Sequence, residues 1–595
     1  MKNSITLCIL VFFICSCRKD SQEKHAGPDP VKVDLTSKVS CSVSGYVSDE
    51  NGDPIIFAQV FSGDKQTVTD KYGFFSIENV SLPATAGLIK VVSNRYFIGY
   101  RTFSPQKGKG SFVHIGMIPK KEAGVVDAAT GGEATTLEGG KVVLPANAVV
   151  VAAGGAPYAG KVHIYVRWID PAGGSGLQLG VPGDGRGADN SGFLKTLKSY
   201  GIMAVELAGD GGQLLQIAPG KTATINIPIP SSLSSAAPAT IPLWAFNDSL
   251  GLWRQEGVAT KNGNVFTGAS PHFSFWNGAE GADLVNFKAR IVDAAAHPLA
   301  NVPVSITPVG IPLNTGYGRF GFSDADGNVI GAIPANSSLV LQVMTPCTTP
   351  AYAQSFSSTF TDIDLGQITG NMGQNIVTIT GTVTNCDHQP VSNGYVQTYD
   401  HGFYHRIPIV NGSFSLSGIT CTNLAVNVVA VDNTTHQQGE PKTVMLTAGN
   451  NDLGALTACG SSTMGSLSYT IDNVTTNITE PADTIGGYFL VPIPDAPASK
   501  WTQIITLSGN VDHNPQLTFQ FDGESAAGEG HHVTEVFSPK FPGGRGYWPV
   551  PITVNITEYG EIGGFISGSF SNQLIDFANN GIHTFSCTFR IRRYN

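Results

Sequence analysis

A strand–turn–strand pattern that recurs three times constrains the fold of this 595-residue chain more than any other feature. In the first copy, an alternating segment at residues 41–47 leads into a turn that closes on Pro54, and a second turn ends at Gly73. The same order begins again at Phe287 and at Val377. Alternating apolar residues between Asn-Gly, Asp-Gly or Pro turns are typical of β-hairpins. The pattern therefore predicts a chain built from repeated β-units.

The composition favours the same fold class. Only 13% of the residues are charged, whereas 70 residues are glycine and 41% are hydrophobic. This balance indicates β-structure with many turns, and it is too apolar for a disordered chain. The length predicts roughly three to five domains. The net charge of -10 argues against a nucleic-acid partner, because phosphate backbones require clustered Lys and Arg.

The three copies resemble the carboxypeptidase regulatory-like, or transthyretin-like, β-sandwich module. Its pattern is a G-x-V strand, a turn that closes on Pro, and a T-D-x-x-G-x-[FY] turn. The first copy matches this pattern at Gly45, Pro54, Asp70, Gly73 and Phe75. The second copy lacks the early glycine in the strand that contains Arg290, and the third has Val410-Asn-Gly in place of the acidic turn. The resemblance implies sandwich domains and no particular chemistry.

A longer block at residues 119–280 separates the first two copies. Its L-P-A-N-A and H-F-S-F-W phrases, at residues 144–148 and 272–276, loosely resemble ZU5 domains, which implies a β-rich fold. The glycine-rich stretch at residues 171–191 predicts a long exposed loop suited to binding or flexibility. The expected core anchors of the block are its four tryptophans, Trp168, Trp244, Trp253 and Trp276.

The N-terminus has the order of a secretory signal, with Lys2, an apolar run at residues 5–14, and then Ser16-Cys17. The run is too short to span a bilayer. It resembles a bacterial lipoprotein signal, which implies that Cys17 becomes acylated and anchors the chain to a membrane. An ordinary signal peptide with chance cysteines is the alternative. The chain as a whole resembles Bacteroidetes-type surface lipoproteins, which implies a lipid anchor in the cell outer membrane and exposure at the surface.

These features predict an all-β chain of tandem β-sandwiches with a larger central domain. A further unit follows in the last block, which resembles C-terminal β domains of Bacteroidetes-type lipoproteins. The predicted divisions are residues 1–17 (signal peptide), 18–38 (flexible tether), 39–118 (first sandwich), 119–280 (central β-rich domain), 284–373 (second sandwich), 374–460 (third sandwich) and 461–595 (C-terminal β domain).

Six cysteines follow the predicted lipidation site, and an exported chain meets conditions in which disulfides form. They are Cys41, Cys347, Cys386, Cys421, Cys459 and Cys587. Spacing alone leaves their pairing open. None forms a C-x-x-C pair, so the sequence predicts no cysteine-based zinc site.

Three short motifs carry possible metal chemistry. His532 and Glu535 have the H-x-x-E spacing of zinc peptidases, but the chain lacks the α/β pattern of such enzymes. The segment from Asp400 to His405 contains two histidines, His401 and His405. On an extended strand, residues four positions apart are about 13 Å apart at ~3.3 Å per residue, so the two side chains could not bind the same metal ion. The Asp324/Asp326 turn resembles the start of a calcium loop without its later Glu. We therefore predict no cofactor, no metal and no catalytic residue.

The predicted function is that of a non-catalytic surface scaffold or adhesin, with the membrane as partner through the lipid and a surface protein or glycan as ligand. One alternative is a carbohydrate-binding or nutrient-uptake accessory protein, which would present exposed aromatic side chains. A second alternative is a hydrolase whose site is scattered over loops. The aromatic candidates are Tyr395, Tyr399, Phe403 and Tyr404, although alternating aromatics on strands are more often core residues.

Overall fold

The structure is a computed structural model that describes residues 31–593 except for short stretches. The excepted residues are 57, 71, 94, 174–178, 310–318, 345–350, 370–375, 400–404, 421–422, 480–483, 491–500, 508–514, 523–527, 538–544, 548–551, 560–564 and 577–580. In the described part, the regular elements are strands and one 3₁₀ turn at Ser231–Leu233. The predicted all-β class with tandem sandwiches is confirmed.

The first unit is a sandwich of two sheets that share one apolar core. Its strands are β1 (Lys38–Ser48), β2 (Gln59–Ser62), β3 (Lys65–Val68), β4 (Phe74–Pro83), β5 (Gly87–Val92), β6 (Gly99–Phe103) and β7 (Gly110–Gly116). Strand β1 is antiparallel to β4 and parallel to β7, and the second sheet has the order β3-β2-β5-β6. Alternate residues such as Val43, Val60 and Ile89 point into the core, as the period of a half-buried strand requires.

Two further units repeat this topology. The second comprises β21 (Leu284–Val292), β22 (Pro303–Pro308), β23 (Arg319–Phe322), β24 (Asn328–Pro334), β25 (Ser338–Val343), β26 (Tyr352–Ser357) and β27 (Ile363–Thr369). The third comprises β28 (Ile376–Thr384), β29 (Gly394–Tyr399), β30 (His405–Pro408), β31 (Ser413–Ile419), β32 (Leu424–Asp432), β33 (Gln437–Gly439), β34 (Lys442–Leu446), β35 (Gly449–Thr457) and β36 (Gly460–Ser462). The two sheets of the second unit have the strand orders β24-β21-β27 and β23-β22-β25-β26. Those of the third unit have the orders β31-β28-β35 and β30-β29-β32-β33-β36.

One glycine of each copy explains why the turns recur. Gly73 and Gly327 have φ of +77° and +79°, and Gly412 of the third copy has φ of +77°. A Cβ at Gly73 would lie 2.5 Å from the carbonyl oxygen of Val47, and one at Gly327 would lie 2.4 Å from that of Ile291. Only glycine tolerates both the left-handed backbone and this close approach to the first strand.

The central domain is one sheet of thirteen strands in the described part. They are β8 (Glu122–Asp127), β9 (Gly132–Thr135), β10 (Lys141–Leu144), β11 (Val149–Val151), β12 (Lys161–Ile169), β13 (Arg186–Ala188), β14 (Leu194–Gly209), β15 (Leu214–Ile217), β16 (Ala223–Pro228), β17 (Thr240–Asn247), β18 (Leu252–Asn262), β19 (Val265–Ser270) and β20 (Phe275–Ala282). Trp244, Trp253 and Trp276 are fully buried, as predicted. Trp168 is partly buried, and its Nε1 donates to the carbonyl oxygen of Pro228 at 3.0 Å.

The first described residues of the chain are hydrogen-bonded to the central domain. Residues 31–33 of the predicted flexible tether pair with the loop before β14, where the N–H of Leu194 donates to the carbonyl oxygen of Val31 at 2.8 Å. The N–H of Val33 donates to the carbonyl oxygen of Gly192 at 3.2 Å. This end of the tether is therefore fixed by backbone hydrogen bonds, which its polar composition did not reveal.

The C-terminal unit is a sheet of ten strands that is bonded to the third sandwich. Its strands are β37 (Ser466–Ile471), β38 (Val474–Thr479), β39 (Thr484–Leu490), β40 (Trp501–Leu507), β41 (Pro515–Asp522), β42 (Gly528–Phe537), β43 (Arg545–Tyr547), β44 (Ile552–Tyr559), β45 (Phe565–Asp576) and β46 (Ile582–Arg593). Arg590 Nη1 donates to the carbonyl oxygen of Ser462 at 3.1 Å, and Arg592 Nη2 donates to that of Thr463 at 2.6 Å.

A disulfide closes the third sandwich. Cys386, in the turn after β28, is bonded to Cys459, which follows β35, over a sequence separation of 73 residues. Since β28 and β35 are parallel neighbours, the bridge ties together the ends at which both strands leave the sheet. This resolves one pairing that the spacing left open. Cys41 and Cys587 are buried free thiols, and Cys347 and Cys421 lie outside the described residues.

Breaking this bridge should loosen the third sandwich. We expect the Cys386→Ser/Cys459→Ser variant to lose about 4 kcal/mol of unfolding free energy in that unit, because a crosslink over this length restricts the unfolded chain. Hydrogen exchange of β28 and β35 measures the loss. Mild reductant should reproduce it in the wild-type chain and change nothing further in the variant. Equal exchange in variant and wild type would contradict the prediction.

Candidate functional site

Arg101 on β6 joins the first sandwich to the central domain. Its Nη1 donates to the carbonyl oxygen of Gly183 at 3.2 Å, and its Nη2 donates to that of Leu179 at 2.6 Å. Trp253 Nε1 also donates to this segment, at 3.0 Å from the carbonyl oxygen of Pro182. The second half of the glycine-rich stretch is therefore held between two domains. This corrects the expectation of a long exposed loop.

A cleft of about 380 Å³ opens beside this contact, between the central domain and the second sandwich. Its size lies near the low end of the range, roughly 300–1,000 Å³, in which proteins hold small ligands. Apolar side chains of both domains form its walls, among them Val181, Trp253, Ile306, Pro308 and Leu339. Its polar lining comes from Arg101, Asp184, Lys198, Ser199 and Asn277.

Two polar atoms of the cleft residues are buried without a hydrogen-bond partner, Arg101 Nε and Asn277 Oδ1. Asn277 is 2% exposed, and its Nδ2 donates to Ser199 Oγ at 2.8 Å, so the amide is oriented while its oxygen stays unsatisfied. An unsatisfied buried polar atom costs roughly 1–3 kcal/mol. Both atoms are covered by the protein atoms packed around them, so neither is presented to the space of the cleft.

The charge of Arg101 is also unbalanced. No carboxylate of the described residues lies within ion-pair distance of its guanidinium, because Asp184 accepts instead from Arg186 Nε at 2.8 Å. Burial lowers the pKa of Arg101 to about 10, and the nearby Asp184 opposes this shift. The guanidinium remains charged at neutral pH, while the other cation of the lining, Lys198, forms an ion pair with Glu280 at 3.4 Å.

A second contact joins the first and third sandwiches. Arg406 Nη2 donates to Asp70 Oδ2 at 2.9 Å, and the Gln397 amide donates to the same oxygen at 3.1 Å. Arg406 Nε donates to Gln397 Oε1 at 3.1 Å, and its guanidinium lies 4.2 Å from the ring centre of Tyr395. Gln397 is almost fully buried, whereas the side chains of Arg406 and Asp70 are 17% and 29% exposed, so the network is partly shielded from water. Tyr395, an aromatic candidate from the sequence, is a part of this contact.

Histidines lie at both remaining contacts between sandwiches. His114 on β7 is hydrogen-bonded through its Nε2 to Ser48 Oγ at 2.9 Å. Its ring centre lies 6.4 Å from that of Phe322 in the second sandwich. His405 on β30 lies 3.2 Å from the amide nitrogen of Asn301, also in the second sandwich. Burial lowers the pKa of each histidine to about 3. Both are therefore neutral at the interfaces.

The Asp324/Asp326 turn serves an interface as well. Asp324 Oδ1 accepts the backbone N–H groups of Asp326 at 2.9 Å and of Asn328 at 2.8 Å, which closes the turn. The Asp326 carboxylate forms an ion pair with Lys109 of the first sandwich. Asp324 thus closes a turn, and Asp326 contacts another domain.

Several predicted positions lie outside what the structure describes. Cys17, Asp400, His401, Phe403 and Tyr404 belong to the excepted residues, and the side chains of Tyr399, His532 and Glu535 are not described. In the described part, no three His, Cys, Asp or Glu side chains are grouped to hold a metal ion. No described helix has the length and apolarity to cross a membrane. Phe360 is the only exposed aromatic side chain of the described residues.

The functional residues of these contacts were missed by sequence reasoning. Arg101, Arg406 and Asn277 are single polar residues in alternating strands, and nothing in a strand pattern separates an interface residue from a solvent-facing one. Asp70 carried a signal, since it belongs to the T-D-x-x-G turn, but that signal concerned the turn alone.

No known protein-family profile matches the chain. Human cartilage intermediate layer protein 2 is 26% identical over 275 residues, which is 42% of this chain and 23% of that protein. The mouse protein of the same name is 29% identical over 230 residues, 36% of this chain and 19% of that protein. This chain therefore spans about a fifth of the length of these relatives.

Solved structures with partial overlap include bacterial pilins. The Streptococcal ancillary pilin overlaps 39% of this chain and 96% of its own length, at 11% identity and a TM-score of 0.14. The shaft pilin of Lactobacillus rhamnosus overlaps 30% of this chain and 99% of its own length, at 10% identity and a TM-score of 0.17. We infer nothing about function from overlaps at these TM-scores.

Removal of Arg406 should separate the first and third sandwiches. We expect Arg406→Met to cost about 2 kcal/mol, between the values of exposed and buried ion pairs, because Asp70 loses its charged partner. Hydrogen exchange should rise at residues 70–76 and 395–408. The matched control is Arg254→Met, at an exposed arginine on β18. Equal protection in the two variants would contradict the prediction.

The buried histidines predict sensitivity to acid. Their folded pKa values lie below the unfolded value of 6.5, so their contribution is complete above pH 6.5 and is lost as the pH falls towards 3. Within that window, protonation of each histidine should lower the free energy of unfolding by about 1.4 kcal/mol for each pH unit that the pH falls.

Melting temperatures between pH 7 and pH 4 test this prediction. His114→Asn keeps a hydrogen-bonding group for Ser48 and should flatten the acid-side decline. His436→Asn, at an exposed histidine of the third sandwich, should decline as the wild type does. A decline that His114→Asn leaves unchanged would refute the assignment to this residue.

Proposed function

We propose that this chain is a non-catalytic surface lipoprotein that acts as a scaffold or adhesin, anchored to a membrane through acylated Cys17. Cys17 and its neighbours carry the anchoring part of the proposal through the order of charge, apolar run and small residue. The folded part contributes a β-built body whose domains are connected by specific contacts. Such a body can hold a binding surface at a fixed distance and orientation from its anchor.

The observation that carries the proposal is the contact of Arg406 and Gln397 with Asp70. It joins residues 327 and 336 positions apart in the chain, so the third sandwich folds back on the first. The second sandwich also contacts the first, where the rings of Phe112 and Phe322 lie 5.4 Å apart. The three sandwiches therefore support one another, which suits a scaffold better than a flexible string of modules.

The point of entry of the chain supports the same proposal. Val31 and Val33 are bonded to the central domain, so the folded body begins close behind the predicted anchor. The tether between the predicted anchor and this body would then comprise residues 18–30. Loop ends and sheet edges far from the attachment would then be the parts available to a partner.

A carbohydrate-binding or nutrient-uptake accessory protein is the second candidate. The cleft beside Arg101 favours it, because the cleft has the size of a small-ligand site. The exposed aromatic side chains that this candidate predicted are limited to Phe360 among the described residues.

Surface labelling and protease accessibility on intact cells test the proposal. We expect the wild-type chain in the membrane fraction and accessible from outside, and Cys17→Ala to lose membrane attachment. Cys15→Ala is the matched control within the same segment and should behave as the wild type. Retention of Cys17→Ala in the membrane, or inaccessibility of the wild-type chain on intact cells, would overturn the proposal.

A further inference from the structure

We propose that the outer face of the C-terminal sheet binds a neutral glycan chain that crosses strands β38, β37, β46, β45 and β44. These five strands are paired with one another in that order. The inference rests on the adhesin role and names the chemistry of its partner. It starts from three features of the face: rows of hydroxyl and amide side chains, hydrogen-bonding groups that the protein leaves unused, and a balanced charge.

The face is the outer side of a sheet whose inner side is core. On β46, Phe585, Cys587 and Phe589 are buried in the apolar core, whereas the residues between them, Ser586 and Thr588, are exposed. The same alternation on the four neighbouring strands adds core residues, namely Leu467, Tyr469, Ile478, Val554, Ile556 and Phe570. The pleat therefore directs one set of side chains from all five strands to the outside. The packed core beneath them holds their backbone in place.

The cross-strand register aligns the outward side chains in rows. The longer row has one residue on each of the five strands, in the order Asn477, Ser468, Thr588, Ser569 and Asn555. A second row crosses four of the strands and consists of Thr475, Thr470, Ser586 and Ser571. At ~4.8 Å between neighbouring strands, the longer row extends over about 19 Å. This length is that of an extended oligosaccharide and not of a single sugar.

The hydrogen-bonding groups of these rows are available to a ligand. Thr588, Ser586, Ser571 and Asn555 are exposed, and their side chains form no hydrogen bond with the part of the chain that the structure describes. Ser468 Oγ donates to Asn477 Oδ1 at 2.7 Å, and the Nδ2 of this asparagine remains a donor. Each hydroxyl can both donate and accept, as the hydroxyls of a sugar do. The rows can therefore exchange hydrogen bonds with successive sugars of one chain.

The charges at one end of the face neutralise each other. In the row next to the longer one, Arg590 Nε donates to Glu558 Oε2 at 3.3 Å, and Ser567 Oγ donates to the same oxygen at 2.6 Å. The Arg590 guanidinium also covers the ring of Phe565, 3.5 Å from its centre. The described residues of the face thus present neither an unpaired cation nor an open aromatic ring.

This chemistry favours a neutral glycan over other polymers. Nucleic acids and acidic glycans require unpaired cations, because their charge dominates their binding. Protein interfaces are enriched in aromatic residues and arginine, and they are poor in serine. A neutral glycan needs neither charge nor a large apolar area, because its hydroxyls match the hydroxyls and amides of the rows. Hence the partner that the face fits is a chain of uncharged sugars.

The affinity of such a face should depend on the length of the glycan. Each hydrogen bond replaces a contact with water and adds little by itself. A disaccharide would contact one or two strands, whereas a hexasaccharide would follow the whole row. Many copies of the chain on one surface would then add avidity, as an adhesin requires.

Calorimetric titration of the purified full chain tests the inference. The probes are β-1,4-linked mannohexaose and cellohexaose, each compared with its own disaccharide. We expect at least one hexasaccharide to bind with a Kd below about 1 mM, and at least tenfold more tightly than its disaccharide. Failure of both hexasaccharides to bind, or equal affinities for the hexasaccharide and its disaccharide, would overturn the inference.

A double variant assigns the binding to the row. Thr588→Val/Ser569→Ala removes two hydroxyls at the centre of the row and keeps side chains that strands accept, so it should melt as the wild type does. We expect it to weaken hexasaccharide binding at least fivefold. The matched control is Thr260→Val/Ser355→Ala, at exposed positions of β18 and β26, and it should bind as the wild type does.

Two results with the double variant would contradict the inference. One is wild-type affinity for the hexasaccharide. The other is a dimer of the wild-type chain in sedimentation velocity that the variant dissociates, because the face would then belong to a second copy. Binding by the purified chain does not depend on Cys17, so a failure here is distinct from a failure of membrane attachment.

Discussion

One carboxylate both closes a turn of the first sandwich and bonds that sandwich to the third. Asp70 Oδ1 accepts the backbone N–H groups of Tyr72 at 2.8 Å and Phe74 at 2.9 Å, which closes the turn before β4. Asp70 Oδ2 points to the third sandwich and accepts from Arg406 and Gln397. The same side chain therefore builds a turn within one sandwich and bonds that sandwich to another. This double use joins the first and third sandwiches, whereas the second sandwich is held by other contacts, Asp326 with Lys109 and Asn301 with His405.

The cleft is a consequence of the same arrangement. Because the first sandwich holds the segment from Leu179 to Gly183 through Arg101, the central domain presents a shaped edge to the second sandwich. The two surfaces meet incompletely and leave the cleft between them. The shape of such a cleft depends on both domains that line it.

The sequence predicted the repeat correctly where its signal was local. Gly73 and Gly327 require a left-handed backbone, and such a requirement is visible in the residue type itself. The third copy keeps its strands although Ile409 stands where Thr69 and Ser323 provide a hydroxyl in the other copies. Its topology survives because alternating core residues and the glycine of the turn are sufficient. The second half of the glycine-rich stretch, residues 179–189, was wrongly predicted to be exposed, because glycine content indicates the freedom of the backbone and not its partners.

The sequence by itself determined the all-β class and the three repeated turns, because strand alternation and left-handed glycines are properties of short segments. Only the tertiary structure decided which polar residues meet. Arg101, Asn277 and Arg406 look alike in an alternating strand, yet one holds a loop, one lines a cleft and one bonds two sandwiches. The physical reason is that a strand pattern fixes the face on which a side chain lies, whereas its partner lies far away in the sequence, from 78 residues for Arg101 and Asn277 to 336 for Arg406.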